Sequence, residues 1–388
     1  MRKRPTLNAD IANIALAWVL SRACVWVFVM LGHIGMRSLP HPWPSESKGS
    51  WVGVESFWLN PWTLFDSAHY INIAKDGYVA FQSAFFPLYP VLIRILGGPH
   101  ASDNTLALVG ILISNIAFAG SLWLLFLLTR DEWGEKIARR AVWIEAFFPA
   151  TAFGAAVYTE SLFLFLSLAF FWMARQKRWF LSGIFGFLVG MTRNSGPILC
   201  LALLFDRPKE PLTKTEKRAR AVSAVAPLLG SIGFQFLMWT QFREESSTLV
   251  TQKMFGRVPT FPLVPVWLDL KSLFVDPTKW LDFVTVPQLG ATIGAFTLVW
   301  VYRRRFSPGK LLYLVAVLLA NLTLSWEHSP HTNSTLRFLF GTFPTAQLLA
   351  LFSIEKIPAG FATLCLATAG LMLLFLQSYM FGYKGFLG

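Results

Sequence analysis

Apolar segments recur along this chain from residue 11 to residue 379, and most of the polar stretches between them are short. That repetition leaves few folds open, because each such segment must be surrounded by protein or by lipid. Soluble domains carry roughly 25% charged residues; here charged residues make up 14% and hydrophobic ones 54%. A surface so poor in charge excludes a soluble globular enzyme, and the hydrophobic content excludes a disordered or fibrous chain. An all-α polytopic membrane protein remains, since a helix satisfies its own backbone polar groups in lipid. The 36 Phe and 16 Trp suit lipid-facing surfaces with aromatic belts at the membrane boundary.

About eleven transmembrane or half-spanning helices are expected, over 11–31, 105–128, 141–157, 161–174, 179–191, 196–205, 221–241, 287–302, 311–326, 336–352 and 358–379. One more apolar piece, 81–96, is short and broken by Pro87 and Pro90. It reads as interfacial or re-entrant, with a full span as the alternative. No small-residue cleavage site follows 11–31, so that segment reads as a retained anchor.

The net charge of +13 does not point to nucleic acid in such a chain. Lys and Arg collect in the cytoplasmic loops of membrane proteins. With the N-terminus inside, 21 of the 34 fall on the inner side, 12 on the outer, and Arg22 lies within the first segment. This orientation requires 179–205 to be a helical hairpin turning near Asn194-Ser195-Gly196-Pro197. It leaves two long outer loops, 32–104 and 242–286, and a short one carrying Glu327-His328-Ser329-Pro330-His331. Residues 1–388 are expected to form a single multi-pass integral membrane domain. Cys24, Cys200 and Cys365 all lie in apolar stretches, too scattered for a disulfide framework or a metal cluster.

The chain has no Gly-rich phosphate loop, Walker-type Lys, G-x-S-x-G or H-E-x-x-H. Nucleotide chemistry therefore has no visible apparatus, and neither a cofactor nor a metal is expected. The acids Glu244 and Glu245 read as solvated rather than metal-binding.

The densest polar constellation is Phe65-Asp66-Ser67-Ala68-His69-Tyr70-Ile71-Asn72, in the first outer loop. Read as a helix, it puts Asp66, His69 and Tyr70 on one face at i, i+3 and i+4. A carboxylate against an apolar surface can serve as a base; the competing reading is a solvated amphipathic helix that Asp66 merely caps. Four other polar groups stand at outer helix ends: Tyr158-Thr159-Glu160, Arg193-Asn194, Gln252 with Arg257, and Arg337. Ionisable groups at membrane depth are costly and mark functional sites, although any single Arg can snorkel to headgroups. Four such groups around one acidic loop describe a cavity with a carboxylate and several cations, suited to an anionic, lipid-borne substrate. A transporter or flippase would share membrane-depth charges and broken helices, but it should have two related halves; no such internal symmetry is visible.

At these residues a family resemblance enters. The Phe65–Tyr70 block, followed by Ala84-Phe85-Phe86-Pro87-Leu88-Tyr89-Pro90, resembles the PIG-V type mannosyltransferases, the family of GPI mannosyltransferase 2. Tyr158-Thr159-Glu160-Ser161, Arg193-Asn194-Ser195-Gly196 and Arg337-Phe338 with Phe343-Pro344 follow in that family's order. Phe65 stands where the family usually has Trp, and a Trp expected before Arg257 is replaced by Phe255 or Gly256.

The resemblance implies a GT-C glycosyltransferase fold with the active site on the extracytoplasmic or ER-luminal face. It implies inverting transfer of mannose from a polyprenyl-phosphate carrier to a glycolipid or glycan acceptor. Asp66 is the implied catalytic base. Arg337 and Arg193 are the candidate ligands of the carrier phosphate, with His328 and His331 behind them. His69, Tyr70, Tyr158 and Glu160 would orient sugar or acceptor, and Asn194 and Arg257 complete the expected substrate-binding set. The remaining alternative is a GT-C enzyme that uses another lipid-linked sugar.

Overall fold

The computed structural model describes residues 7–38 and 52–383, apart from 209, 247, 255, 277, 279, 281, 283, 327–330, 333 and 359. It is helical almost throughout. The first helix, α1 (Leu7–Ser38), leads through a 3-10 turn at Asn60–Trp62 to α2 (Asp66–Asp76) and α3 (Leu88–Gly97). The central run is α4 (Asp103–Trp133), α5 (Glu135–Ala146), α6 (Glu160–Arg175), α7 (Trp179–Gly190), α8 (Leu199–Phe205) and α9 (Lys214–Phe242). Then follow α10 (Thr248–Met254), strand β1 (Arg257–Pro259), α11 (Leu263–Val275), α12 (Thr285–Tyr302) and α13 (Pro308–Leu322). Strand β2 (Leu324–Trp326), α14 (Thr335–Phe340), α15 (Pro344–Glu355) and α16 (Phe361–Gly382) complete the described chain.

Among the described residues, four helices are long and apolar enough to cross a membrane: Asn8–Gly35 in α1, α4, α9, and Thr363–Gly382 in α16. At 1.5 Å per residue, α3 rises only about 15 Å, so 81–96 is not a full helical span.

Three expectations are corrected. The segment 141–157 is not one helix: α5 stops ahead of Pro149, and 147–159 runs on as turns, because proline withholds a donor and clashes with the preceding turn. The segment 336–352 divides into α14 and α15 at Gly341–Phe343, ahead of Pro344. The end of 311–326 leaves the helix as β2, which pairs antiparallel with β1 in the register Arg257↔Trp326.

The expected hairpin over 179–205 is present. α7 ends at Gly190, the chain turns over 191–198, and α8 brings Leu203 back to the cavity that Trp179 also lines. α9 packs closely along α7, with Gly190 and Gly230 at the crossing. A Cβ at either would collide with the backbone carbonyl of Pro227 or Phe187, respectively. The N-terminus of α9 is fixed by a reciprocal cap: Thr213 Oγ1 accepts from Glu216 N, and Glu216 Oε2 accepts from Thr213 N at 2.8 Å.

The core is densest around α6, where Glu160–Leu164 and Leu166–Phe171 are all buried between α4 and α7. At one end of this core a charged cluster ties four helices together. Glu132 of α4 accepts from Lys310 of α13 and, at 2.6 Å, from Arg175 of α6, while Gln347 of α15 donates to it at 3.3 Å. The other end of α6 begins at Glu160, and the candidate site lies there.

Candidate active site

Two non-helical segments place the acidic residues. The turns over 147–159 are buried except at the half-buried Phe147 and Pro149, and their backbone is stitched to the 3-10 turn before α2: Val157 N donates to Trp62 O at 3.1 Å. Tyr158 Oη donates to Leu64 O at 3.2 Å. Phe65 then takes φ of 56°, which a side-chain-bearing residue rarely adopts. That reversal starts α2 at Asp66. Phe65, not Asp66, occupies the N-cap position, and no side chain caps the helix. The carboxylate is thus available for contacts elsewhere, in a half-buried position near a helix N-terminus that favours its charge.

α2 is held from behind. Tyr89 Oη donates to Gly110 O at 2.8 Å and lies 2.7 Å from Ser114 Oγ, which donates to Tyr158 O at 3.1 Å. Arg94 donates to the carbonyls of Ala74 and Lys75 at 2.8 and 2.7 Å, closing the C-terminus of α2. These contacts tie the first-loop helix to α3, α4 and the turns before α6.

The charged groups meet on this frame. Arg337, on the short helix α14, bridges two acids: Nε donates to Glu160 Oε1, and Nη2 stands 2.8 Å from Asp66 Oδ2. Its guanidinium lies over the rings of Tyr158 and Phe153, 4.8 and 5.1 Å from their centroids, a favourable place for a desolvated cation. Arg193 reaches the same Glu160 oxygen at 2.5 Å and donates to Thr159 Oγ1 at 3.2 Å. Tyr70 Oη lies 3.5 Å from that hydroxyl. Glu160 is fully buried, so both guanidiniums are pinned from inside the protein.

Electrostatics fix the charge states around Asp66. Burial opposes its ionisation, but Arg337, by charge and hydrogen bond, and Arg257 outweigh burial and hold the carboxyl below the usual carboxylate range. Burial pushes the His69 imidazole down, with Asp66 opposing only in part. His69 is therefore neutral near pH 7, stacked on Phe85 with ring centroids 4.2 Å apart. Burial lowers Arg257 as well, with Asp66 favouring its charge, yet an arginine stays protonated. Two carboxylates and three guanidiniums leave the cluster one positive charge in excess.

The site thus unites eight expected residues: Asp66, His69, Tyr70, Tyr158, Glu160, Arg193, Arg257 and Arg337. Glu160 is expected to orient sugar or acceptor; in the structure its carboxylate holds the two arginines. Asn194 is exposed on the turn after Arg193. His331 pairs through Nδ1 with Asp269 of α11. His328 lies outside the described residues. Two contributors were missed, Thr159 and Phe153. Thr159 stood inside a quoted motif, but nothing in the sequence marked Phe153 as the platform for an arginine far along the chain. Among the described residues no group of three His, Cys, Asp or Glu could hold a metal ion.

A family model described as Mannosyltransferase (PIG-V) matches residues 44–243, just over half of the chain. GPI mannosyltransferase 2 of Drosophila melanogaster is 30% identical over 137 residues, covering 33% of this chain and 30% of that protein. GPI alpha-1,6-mannosyltransferase 2 of Rattus norvegicus is 27% identical over 236 residues, covering 54% of this chain and 46% of that one. The chain therefore spans less than half the length of these curated relatives. Among solved structures, an oligosaccharyltransferase of Archaeoglobus fulgidus, crystallised with Zn and sulfate, aligns over 94% of this chain and 53% of its own. Its TM-score is 0.44 and its identity 14%.

Proposed function

Since the chain belongs to the PIG-V mannosyltransferase family, we propose that it is a membrane glycosyltransferase of GT-C type, with about eleven spanning or half-spanning segments. It moves a mannosyl residue from a polyprenyl-phosphate carrier to a hydroxyl of a glycolipid or glycan acceptor, with inversion, on the extracytoplasmic or luminal face. One observation carries this reading: a half-buried carboxylate, Asp66, shares a guanidinium with a fully buried one, in a cluster with one positive charge to spare.

A donor phosphodiester carries one negative charge, and its leaving monoester gains another as the sugar–oxygen bond breaks. Arg337 and Arg193 stand ready for that growing charge, and a guanidinium's fork matches phosphate oxygens. As the phosphate draws on Arg337, Asp66 loses its strongest charge partner and becomes a better proton acceptor. The acceptor oxygen attacks the anomeric carbon from the face opposite the phosphate, and its proton passes to Asp66. Oxocarbenium character in the sugar is favoured by the same carboxylate. His69, neutral, and Tyr70 line the acceptor side of Asp66, while Tyr158 supports Arg337 from beneath.

The test is transfer of label from radiolabelled polyprenyl-phosphate mannose to a membrane lipid extract by purified protein in detergent, with Asp66→Asn alongside. Labelled product from the wild type alone supports the reading. Product only with a carrier bearing a different sugar would replace mannose and keep the mechanism. No product with any lipid-linked sugar would reject it.

A further inference from the structure

The segment between α9 and α12 departs from what a water-washed loop does. α11 turns Leu263, Trp267, Phe274 and Val275 outward, at 59, 65, 83 and 74% exposure. Their spacing puts all four on one face of the helix. Phe261 before the helix and Trp280 after it are also exposed, and Trp280 Nε1 folds back to donate to Leu273 O at 3.0 Å. The opposite face holds Pro265, Leu273 and, fully buried, Asp269. A helix on a water-facing surface has the reverse polarity, with its apolar stripe inward and its charges outward.

The inversion is held in place. Asp269 Oδ2 accepts from Thr332 N at 2.8 Å and from the Thr332 hydroxyl, and Oδ1 pairs with His331 Nδ1. Rolling the helix to hide its aromatics would pull the carboxylate off all three groups. The same segment carries β1, which begins at Arg257 and pairs with β2; Thr260 N adds a bond to Thr323 O at 2.9 Å.

We propose that α11 is an interfacial helix whose Leu263–Trp267–Phe274–Val275 face is seated in the membrane leaflet on the side of the Asp66 cluster. The occupant is the boundary between lipid headgroups and acyl chains. The apolar surface carries on into a lipid-facing helix: α11 packs on α12, which exposes Ile293 and Trp300. Trp favours that boundary. Lys271, the exposed charge on this face, has a stem long enough to bring its ammonium back to the headgroups. α11 is then not part of a free aqueous loop but a membrane-resting element joined to the site through β1. This placement does not depend on the transfer reaction.

The test uses a full chain lacking Cys24, Cys200 and Cys365, with Trp267→Cys labelled by an environment-sensitive fluorophore and reconstituted in phosphatidylcholine vesicles. One quencher is phosphatidylcholine brominated near the headgroup end of its acyl chains; the other is iodide in the buffer. Ile116→Cys, exposed within α4, sets the lipid limit, and Asp76→Cys, exposed at the end of α2, sets the water limit. Position 267 should be quenched by bromolipid at least half as strongly as position 116, and by iodide several-fold less than position 76. Iodide quenching equal to that at position 76 would overturn the proposal. Protection from both quenchers would also overturn it, because a second copy or another protein would then cover the face. Phe274→Cys reads the same face should Trp267→Cys fail to give a monodisperse protein.

Discussion

The bridge made by Arg337 is open to a charge-balanced test. Arg337→Met removes the guanidinium and leaves Glu160 with Arg193 alone, still at 2.5 Å. Taking one partner from a buried ion pair costs roughly 3–5 kcal/mol. Asp66 is half-buried and Glu160 keeps Arg193, so the loss should fall at the lower end, about 3 kcal/mol. Glu160→Gln alone takes the shared anchor from both arginines. Arg337 retains Asp66 at 2.8 Å and Arg193 retains Thr159 at 3.2 Å, so the loss is about 1.5–3 kcal/mol, the worth of a hydrogen bond to a charged group. In the double variant the Arg337–Glu160 bridge, whose loss is counted in both singles, is lost only once. The double should therefore be less destabilised than the sum of the singles by about 1–3 kcal/mol, seen as a recovered thermal midpoint in detergent. Transfer activity should not recover. Losing one preorganised donor to a developing anion costs about 100- to 1,000-fold, and the double variant still lacks it. Recovery of both stability and turnover would refute the reasoning and leave Arg337 a structural partner of Glu160. Arg337→Lys adds a second reading: it keeps the charge but not the fork, and at limiting donor it should lose at least about tenfold.

Asp66→Asn should lower turnover by about 100- to 10,000-fold, the worth of general-base catalysis, while Asp76→Asn at the exposed end of α2 stays near wild type in the same initial-rate assay. Arg257 helps to hold Asp66 below the usual carboxylate range. Its removal in Arg257→Gln should raise that pKa, so the acid limb of the rate profile moves to higher pH; an unmoved or downward-shifted limb would separate Arg257 from the base. For orientation, single cysteines at Asp76 and Lys214 in a Cys-free background should differ in intact cells. An impermeant thiol reagent should label the first and miss the second, and the opposite pattern would invert the topology.

The helical class and most segment positions were legible because apolar runs and their breaks are local properties of the sequence. α4, α6, α9 and α16 begin or end within a few residues of their apolar limits, save where a polar cap such as Thr213 extends α9 backward into the loop. The fused segments failed for a local reason too. Pro149 and Pro344 sit inside apolar runs, and hydropathy does not register a missing backbone donor. The site was legible as a set of motifs but not as a network. Asp66, Glu160, Arg193 and Arg337 stood out because charge is rare in such a chain, yet nothing local announces that one oxygen of Glu160 serves two arginines, one of them 177 residues away. Asp269 is the clearest case. It stood in a segment expected to be a long outer loop, where an aspartate needs no explanation, and it acquires one only from its burial against Thr332 and His331.

The breaks that hydropathy overlooked are also what build the site. Had 141–157 continued as one helix, Phe153 and Tyr158 would lie on a regular cylinder instead of in the turns that support Arg337 from beneath. Had 336–352 continued, Arg337 would occupy a continuous span instead of α14, a helix of six residues between a loop and Gly341. Phe65 makes the same point on the opposite wall, since its positive φ turns the chain so that α2 begins with Asp66 and presents the carboxylate to Arg337 rather than to its own backbone. Unusual backbone costs stability and persists where surrounding contacts over-determine it. Here those contacts are the bonds from Val157 to Trp62 and from Tyr158 to Leu64. Acid and guanidinium therefore meet on short helices, α2 and α14, that non-helical turns place and long helices grip.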